Sequence, residues 1–374
     1  MVSSAPHRVL VLSAPVGEGH VAAARAIAAR MRALWPDAVV REVESTGGPA
    51  RDRLLGAAYA VVMRRAPWLY GLGYDLLVRV PRFAALCKRV AGLRLAGTLA
   101  PLIEAQQPDL VVSTYPMVSG GLARLRRRGR LPGRSVAVVT DVAVHPFWVW
   151  AHVDETWTLL ESSRRQAAGI EPAADVRVVP PVVDARYRPS DRGRARSALG
   201  MDDGAFVVLL SGGSLAFGGL EALAGAVLDA GDGVLVAVLC GRDERLRSRL
   251  AARGLPADRL RPLGWTDRVP ELLAAADVLL TTAGGMIATE SLAVGTPVLF
   301  ASPVPGHGRA GAAMTADAGL ALVCHGREEV ARTVARLHDD PAERAALSRR
   351  AAEFSARDLD DELRALAGRI GPRM

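Results

Sequence analysis

Short apolar runs followed by helix-length segments recur along the chain, and this alternation constrains its fold more than any other feature. One series starts with "RVLVLS" (8–13) and a second with "AFVVLLS" (205–211), after the polar stretch "DARYRPSDRGRARSALG" (184–200). Strands that alternate with helices favour parallel sheets with right-handed crossovers. At 374 residues the chain is also too long for one ordinary core. We therefore predict an α/β protein of two Rossmann-like domains, 1–185 and 186–355.

The composition excludes several classes of protein. Half of the residues are hydrophobic, which rules out a largely disordered chain. Cys87, Cys240 and Cys324 are far apart and odd in number, so neither a disulfide framework nor a metal-binding spacing is visible. The N-terminus runs into a strand without a cleavable signal, and no apolar run is long enough to span a membrane. We therefore predict a cytoplasmic protein without a metal or a cofactor.

Residues 53–100 depart from the alternation and combine apolar with basic side chains. Leucine, valine and aromatic residues are interleaved there with arginine and with Lys88, the only lysine of the chain, whereas Asp75 is the only acid. A basic, apolar helical stretch suits peripheral contact with an anionic membrane. An ordinary helix pair with a solvated arginine face is the equally supported alternative. The basic residues concerned are Arg64, Arg65, Arg79, Arg82, Lys88, Arg89 and Arg94.

Each of the two series opens with a strand that runs into glycines. The first reads "SAPVGEGH" (13–20) and the second "LLSGGSLAFGG" (209–219). Ligands of open α/β sheets bind beyond the carboxyl ends of the strands, where glycine lets the backbone come close and a helix N-terminus attracts anions. Neither loop contains a Walker A sequence, and a plain tight turn explains each one equally well.

The stretch "DVLLTTAGGMIATESLAVGTP" (277–297) gives a stronger indication of a ligand site. A strand ends at two threonines, two glycines follow, and a helix is predicted to begin near Met286. Glu290 falls in the first turns of that helix, where its carboxylate would accept two ribose hydroxyls while the helix N-terminus faces a diphosphate. The alternative is that Glu290 is only a favourable first-turn residue.

Four segments, in this order, resemble glycosyltransferase family 28, the MurG-like family. They are "GEGHVAAARAIA" (17–28), "RRAPWLYGLGYD" (64–75), "VVTDVAVHPFW" (138–148) and "PLGWTDRVPELLAAADVLLTTAGGMIATESLAVGTPVLF" (262–300). The resemblance is nearest to the branch of monogalactosyldiacylglycerol synthases and processive diacylglycerol glucosyltransferases. It implies the GT-B fold, in which two Rossmann-like domains face a cleft and a C-terminal helix, here 356–374, packs back on the N-terminal domain.

The same resemblance implies an activity. A UDP-sugar would bind the C-terminal domain, and a lipid or other hydrophobic acceptor would bind the N-terminal domain at the inner face of the cell membrane. The transfer would be metal-independent and would invert the anomeric centre. By this resemblance the donor is bound by Ser211, Gly213, Trp265, Gly285, Thr289 and Glu290, and the acceptor side comprises Gly17, Glu18, Gly19, Trp68 and Tyr70. His307, which follows "PVPG" (303–306), is a further predicted donor-binding residue.

Two departures from the family pattern bear on these roles. Glu18 stands where a glycine is usual. The segment 307–311 reads His-Gly-Arg-Ala-Gly, whereas the family commonly has a glutamine, an acidic residue and an asparagine that contact the donor sugar. The identity of the sugar therefore stays open.

An inverting transfer also needs a base that removes the proton of the acceptor hydroxyl. His20, Asp141 and His145 are the candidates, because all three fall at or just beyond predicted strand ends of the N-terminal domain. His20 is our first choice, since imidazole titrates near neutral pH. Its alternative role is to cap the helix or to contact phosphate.

Two further functions stay open. A UDP-sugar 2-epimerase shares the two-domain plan but needs no lipid surface, so the basic, apolar stretch 53–100 argues against it. A non-catalytic sugar-nucleotide-binding protein is supported by the altered segment 307–311. Nucleic-acid binding is not predicted, because the arginines are spread along the chain and none of the usual motifs is present.

Overall fold

The chain folds into two compact units. A computed structural model describes residues 5–15, 18–44 and 48–370. Backbone contacts assign 1–185 and 357–374 to unit 1, and 186–356 to unit 2. Each unit is built on one six-stranded parallel sheet, so the predicted α/β class with two parallel-sheet domains is confirmed.

Unit 1 is a parallel sheet combined with helices. Its elements up to residue 178 are β1 (Arg8–Ser13), α1 (Glu18–Leu34), β2 (Val39–Glu44), α2 (Pro49–Arg65), α3 (Pro67–Arg79), α4 (Pro81–Gln106), β3 (Leu110–Ser113), α5 (Pro116–Arg127), β4 (Arg134–Val138), β5 (Glu155–Thr158), α6 (Glu161–Ile170) and β6 (Val176–Val178). The strand order is β2-β1-β3-β4-β5-β6. The order reverses between β1 and β3, and ligands of such sheets bind beyond the carboxyl ends of the strands at that point.

Unit 2 has the strand order of dinucleotide-binding sheets. Its elements are α7 (Arg192–Leu199), β7 (Phe206–Ser211), α8 (Leu220–Leu228), β8 (Val234–Leu239), α9 (Glu244–Ala251), β9 (Leu260–Leu263), α10 (Val269–Ala275), β10 (Val278–Thr281), α11 (Met286–Val294), β11 (Val298–Ala301), α12 (His307–Asp317), β12 (Ala321–Cys324), α13 (Arg327–Asp339) and α14 (Pro341–Phe354). The order β12-β11-β10-β7-β8-β9 reverses between β7 and β10, which directs attention to the loops after these two strands.

Prolines divide the basic stretch of unit 1 into three helices. Pro49, Pro67 and Pro81 each occupy the first turn of a helix, where the missing N–H is tolerated. A residue that precedes proline is pushed out of the helical region. Ala66 and Val80 have non-helical backbone angles for this reason and separate α2 from α3 and α3 from α4.

Buried ion pairs fix the helices that flank the two sheets. In unit 2, Asp277 accepts hydrogen bonds from Arg196 Nη2 (2.7 Å) and from the Val207 backbone N–H (2.8 Å), which ties α7 to β7 and β10. The last helix, α15 (Leu359–Arg369), belongs to unit 1. There Arg369 donates to Glu155, which is fully buried on β5, at 2.7 and 2.9 Å.

Three details differ from the sequence prediction. The helix-forming residues of 22–34 predict a helix that starts at Ala22, but α1 begins at Glu18, because an acid in the first turn stabilises a helix N-terminus. Glu18 therefore belongs to the helix and not to a loop. The helix-forming composition of 341–370 predicts a helical tail without a break, but residues 355–358 interrupt it, and the Asp358 side chain caps α15. The last apolar run that predicts a strand is "TPVLFASP" (296–303), so strand β12, which follows it, was not predicted.

Candidate functional site

His20 lies in the first turn of α1, just beyond the carboxyl end of β1. Two neighbouring loops hold it. Thr114, which follows β3, donates a hydrogen bond from its hydroxyl to the His20 carbonyl oxygen at 2.8 Å. Thr140, which follows β4, has its Oγ1 3.1 Å from His20 Nδ1. When Nδ1 carries the proton and donates it to Thr140, the lone pair of the imidazole is on Nε2, which can then accept a proton from a ligand.

The other two base candidates, Asp141 and His145, lie in the loop after β4 and contact the same tryptophan, Trp148. Trp148 is fully buried, and its Nε1 donates to Asp141 Oδ2 at 3.0 Å. The centroid of its ring system lies 5.8 Å from that of His20 and 6.0 Å from that of His145. The three predicted candidates thus surround one tryptophan, and the indole fixes the direction of the Asp141 carboxylate.

Two tyrosine rings extend this arrangement. Tyr115 meets His20 edge to face at 5.1 Å between ring centroids, and Tyr74 meets His145 in the same way at 6.0 Å. Such edge-to-face contacts fix the orientation of the imidazoles. We call His20, Tyr74, Tyr115, His145 and Trp148 the ring cluster.

Further phenols lie near the Asp141 carboxylate. Burial first, and then the negative charge of Asp141, raise the pKa of Tyr59 to about 12 and that of Tyr74 to about 12. The pKa of Tyr70 is raised by burial and then by the neighbouring Tyr59 and Asp141. These phenols therefore stay neutral at physiological pH.

Helices α2–α4 expose an unusual amount of apolar surface. Of the sixteen large hydrophobic side chains that are exposed within the described part of the chain, twelve lie on these helices or between them. We call them the apolar surface of α2–α4: Leu54, Val61, Trp68, Leu69, Leu72, Leu76, Val78, Val80, Phe83, Leu86, Val90 and Leu93. Exposed guanidinium groups are interspersed among them, at Arg65, Arg79, Arg82, Arg89 and Arg94. An exposed apolar area of this kind marks an interaction site.

In unit 2, the loops after β7 and β10 are joined where the strand order reverses. Gly213, at φ 72°, donates its N–H to Ser211 Oγ at 3.2 Å. The Thr282 hydroxyl, which follows β10, donates to the Phe217 carbonyl oxygen at 2.7 Å. Gly218, at φ 92°, lies so close to Thr282 that a Cβ there would be 2.6 Å from the threonine Cβ. Only glycine satisfies both the backbone angle and the contact at position 218.

Several helix N-termini adjoin these two loops. Helices α8, α11 and α12 follow the capping residues Gly219, Gly285 and Gly306. A Cβ on Gly284 would lie 2.8 Å from the Gly308 Cα in the first turn of α12, so the N-termini of α11 and α12 are adjacent. Glycine offers no side chain to the first N–H groups of a helix, and the helix dipoles favour an anion there. This arrangement suits a diphosphate.

The remaining predicted donor residues lie at the same edge of the sheet. Thr289 and Glu290 are on α11 and are 5% and 8% exposed, and His307 is the first residue of α12. Trp265, which follows β9, is 55% exposed, and the Arg242 guanidinium carbon lies 4.1 Å from the centroid of its ring. Glu290 is thus buried on α11.

The predicted acceptor-side residues lie in different environments in the structure. Tyr70 approaches Tyr59, with ring centroids 5.8 Å apart, whereas Trp68 is 66% exposed and belongs to the apolar surface of α2–α4. Gly19 lies in the first turn of α1 beside His20. Gly17 and the Arg64 side chain lie outside the described residues.

Sequence reasoning gave no role to Thr140, Tyr74 or Tyr115. The only available signal for Thr140 was its place directly before Asp141, at the end of a predicted strand.

Within the described residues, no three histidine, cysteine or acidic side chains are grouped in a way that could hold a metal ion. None of the helices in the described ranges is long and apolar enough to span a membrane.

Comparison with known proteins links both halves of the chain to one class of enzyme. The family model for monogalactosyldiacylglycerol (MGDG) synthase matches residues 20–178, and the model for glycosyl transferases group 1 matches residues 220–354. Over 345 residues the chain is 28% identical to the processive diacylglycerol beta-glucosyltransferase of Bacillus subtilis, an alignment that covers 89% of this chain and 87% of that protein.

Two solved structures share the fold. MurG of Acinetobacter baumannii is 18% identical with a TM-score of 0.60, over 97% of this chain and 100% of that one. HepE of Anabaena, solved in complex with UDP, is 16% identical with a TM-score of 0.57, over 96% of this chain and 98% of that one.

Proposed function

Because the chain is a glycosyltransferase with the GT-B fold that resembles the monogalactosyldiacylglycerol synthase branch, we propose that it transfers a sugar from a UDP-sugar to the hydroxyl of a diacylglycerol-like lipid. Unit 2 binds the donor and unit 1 the acceptor. The acceptor class is supported by the name of the Bacillus relative and by the family that matches residues 20–178. The UDP moiety is supported by the Anabaena structure with the same fold.

The ring cluster carries this proposal. It sets an imidazole at the carboxyl edge of the sheet beside β1 and β3, where α/β proteins bind ligands. Thr140 and Thr114 hold the ring and the backbone of His20, and the surrounding aromatic rings offer an apolar wall to an acceptor. A group that only had to cap a helix would not need this support.

In the proposed reaction, His20 Nε2 takes the proton of the acceptor hydroxyl as that oxygen attacks the anomeric carbon. One bond forms between this oxygen and the sugar carbon, and the bond from that carbon to the UDP oxygen breaks, so UDP departs with the electron pair. A single displacement of this kind inverts the anomeric centre. Base assistance of this type contributes about 10²–10⁴-fold to a rate.

The departing diphosphate needs positive potential, which we assign to backbone groups rather than to a metal ion. The N-termini of α11 and α12 are adjacent, and the loop after β7 is joined to them through Thr282. Preorganised N–H donors stabilise charge that develops in the transition state without having to reorganise. Glu290, buried on α11, is the proposed acceptor of the ribose hydroxyls.

The apolar surface of α2–α4 is the proposed contact with the membrane. Its leucines, valines and Trp68 would enter the interfacial region, and the interspersed guanidinium groups would contact anionic headgroups. We propose peripheral binding at the inner face of the cell membrane, where a lipid acceptor reaches the ring cluster without leaving the bilayer for water.

Three single variants, His20→Ala, Asp141→Asn and His145→Ala, test the assignment of the base. We expect His20→Ala to lower turnover by about 10²–10⁴-fold, the usual contribution of a general base. UDP affinity should stay within twofold of the parent, because the donor site lies in unit 2. The acidic limb in the pH profile of turnover should vanish in this variant alone.

An exposed histidine of unit 2, His325, supplies the control, and His325→Ala should match the parent in every readout. A turnover collapse confined to Asp141→Asn or His145→Ala would move the base to that residue. Loss of UDP affinity in His20→Ala, with the acidic limb kept, would assign His20 to phosphate binding instead.

A further inference from the structure

Arg242 and Trp265 form a stacked pair at the carboxyl edge of the unit 2 sheet. Arg242 follows β8 and Trp265 follows β9, and these two strands are neighbours. The guanidinium carbon lies 4.1 Å from the centroid of the indole ring, within the range of a cation–π contact. Both side chains are exposed. The indole therefore holds the positive charge of Arg242 at a defined place that a ligand can reach.

The turn that carries Arg242 is held from both sides. Gly241 has φ 57°, and a Cβ there would lie 2.8 Å from the Ser214 carbonyl oxygen in the loop after β7. Asp243 caps α9, since its Oδ1 accepts the backbone N–H of Leu246 at 3.0 Å. The backbone of Arg242 is thus fixed beside the loop after β7, which belongs to the proposed diphosphate site.

Few positive side chains lie in the loops of this part of the edge. The loops after β7, β8, β9 and β10 span 212–219, 240–243, 264–268 and 282–285, and their basic residues are Arg242 and Arg268. The Arg268 guanidinium donates to the Ala198 carbonyl oxygen of α7 at 3.1 Å, so it is engaged with a neighbouring helix. Arg242 is therefore the guanidinium that these four loops offer to a ligand.

The chemistry of a departing nucleoside diphosphate indicates what Arg242 would bind. The diphosphate gains negative charge as its bond to the sugar breaks, and the N–H groups at the helix N-termini supply only partial charges against it. A guanidinium adds a full positive charge, and its planar fork donates paired hydrogen bonds to phosphate oxygens. The position of Arg242 next to the loop after β7 thus suits a contact with the diphosphate.

We propose that Arg242 binds the diphosphate of the donor and stabilises the departing UDP, and that Trp265 positions it. The guanidinium keeps its contact with the indole and donates hydrogen bonds to oxygens of the diphosphate. It exchanges no proton and forms no covalent bond; it stabilises the charge that UDP carries away with the electron pair. The inference rests on the UDP-sugar donor of the proposed function and adds a side chain to the backbone groups assigned there.

Calorimetric titration of the full chain with UDP and with uridine tests the contact with the diphosphate. We expect Arg242→Gln to weaken UDP binding about tenfold, the scale of a hydrogen bond to a charged group. Uridine affinity should stay within twofold of the parent, because uridine has no phosphates. Arg242→Lys keeps the charge but loses the planar fork, so its UDP affinity should lie between those of the parent and Arg242→Gln.

A double-mutant cycle tests whether Trp265 acts through Arg242. Trp265→Leu should lower UDP affinity about two- to fivefold in the parent, the scale of an exposed cation–π contact. In the Arg242→Gln background the same substitution should have little further effect, since the group that the indole positions is gone. Equal effects of Trp265→Leu in both backgrounds would overturn the positioning role.

Arg245, exposed on α9 three residues after Arg242, gives the matched control, and Arg245→Gln should bind UDP within twofold of the parent. Equal losses in Arg245→Gln and Arg242→Gln would overturn the proposal in favour of diffuse attraction. Equal losses of UDP and uridine affinity in Arg242→Gln would overturn the assignment to the diphosphate. An Arg242→Gln variant that binds UDP like the parent would overturn this inference alone, whereas a parent that does not bind UDP would overturn the proposed donor as well.

Discussion

Replacing Glu155 by glutamine tests how the last helix is held on unit 1. Oε1 of this buried carboxylate accepts from Arg369 Nε (2.7 Å) and Arg134 Nε (3.1 Å), and Oε2 accepts from Arg369 Nη2 and Trp157 Nε1 (both 2.9 Å). Glutamine keeps the shape but loses the charge, and its amide NH₂ would face two of these donors. Removing one partner of a buried ion pair costs about 3–5 kcal/mol. We expect Glu155→Gln to lower the free energy of unfolding of unit 1 by about 3 kcal/mol or more.

The same site predicts a pH dependence. Burial alone would raise the pKa of the Glu155 carboxyl, but hydrogen bonds from Arg369 and Trp157 and the charges of Arg369 and Arg177 outweigh burial and hold the pKa below its usual value. A carboxyl with a lowered folded-state pKa contributes stability above its unfolded pKa, about 4.3 for glutamate, and loses it as the pH falls through the folded value. The stability difference between the parent and Glu155→Gln should therefore be full at pH 7 and shrink below about pH 4.

Urea unfolding followed by tryptophan fluorescence measures this effect, because five of the six tryptophans lie in unit 1. The exposed pair of Glu161 and Arg164 on α6 supplies the matched control. Glu161→Gln removes the same charge from the surface and should leave the midpoint unchanged, since exposed pairs contribute little. Equal midpoints for Glu155→Gln and the parent at pH 7 would refute the reasoning.

Other features lead to predictions that simple assays check. Glu290→Gln should weaken UDP binding in calorimetry about tenfold, the scale of a hydrogen bond to a charged group, and unchanged affinity would remove this carboxyl from the donor site. Arg65→Gln combined with Arg82→Gln should reduce co-sedimentation with anionic vesicles, more at low than at high salt; equal sedimentation at both salt levels would contradict the proposed membrane contact. In an ultraviolet pH titration, Tyr59 and Tyr74 should ionise only near pH 12, as burial and then the Asp141 charge dictate, and full ionisation of all tyrosines by pH 10.5 would show that these two phenols are open to water.

The fold was largely predictable because each element depends on local signals. The apolar runs at β1 and β7 and the prolines that begin α2, α3 and α4 act over a few residues. The extra length of α1 was missed because glycines flank Glu18 and indicated a loop. The break between α14 and α15 was missed because helix-forming residues dominate the sequence on both sides of it.

The candidate site was predictable only in part, because its contacts join distant positions. His20 and Asp141 were found as candidates for the base because they fall at or just beyond predicted strand ends. The contact between His20 and Thr140 spans 120 residues and depends on the order of strands in the sheet, which the alternation of elements does not specify. The different environments of Trp68 and Tyr70 likewise depend on the rotation of α3, which is set by packing against its neighbours.

Sugar transfer to a lipid is tested most directly with purified protein, a set of radiolabelled UDP-sugars, and vesicles of diacylglycerol and anionic phospholipid. We predict that label from one UDP-sugar moves into the organic-soluble lipid fraction with the anomeric configuration inverted, and that His20→Ala abolishes most of this transfer. Conversion of the label to a different UDP-sugar in the aqueous phase would contradict the proposal and identify an epimerase. Binding of UDP-sugars without any conversion would contradict it as well and identify a non-catalytic binding protein.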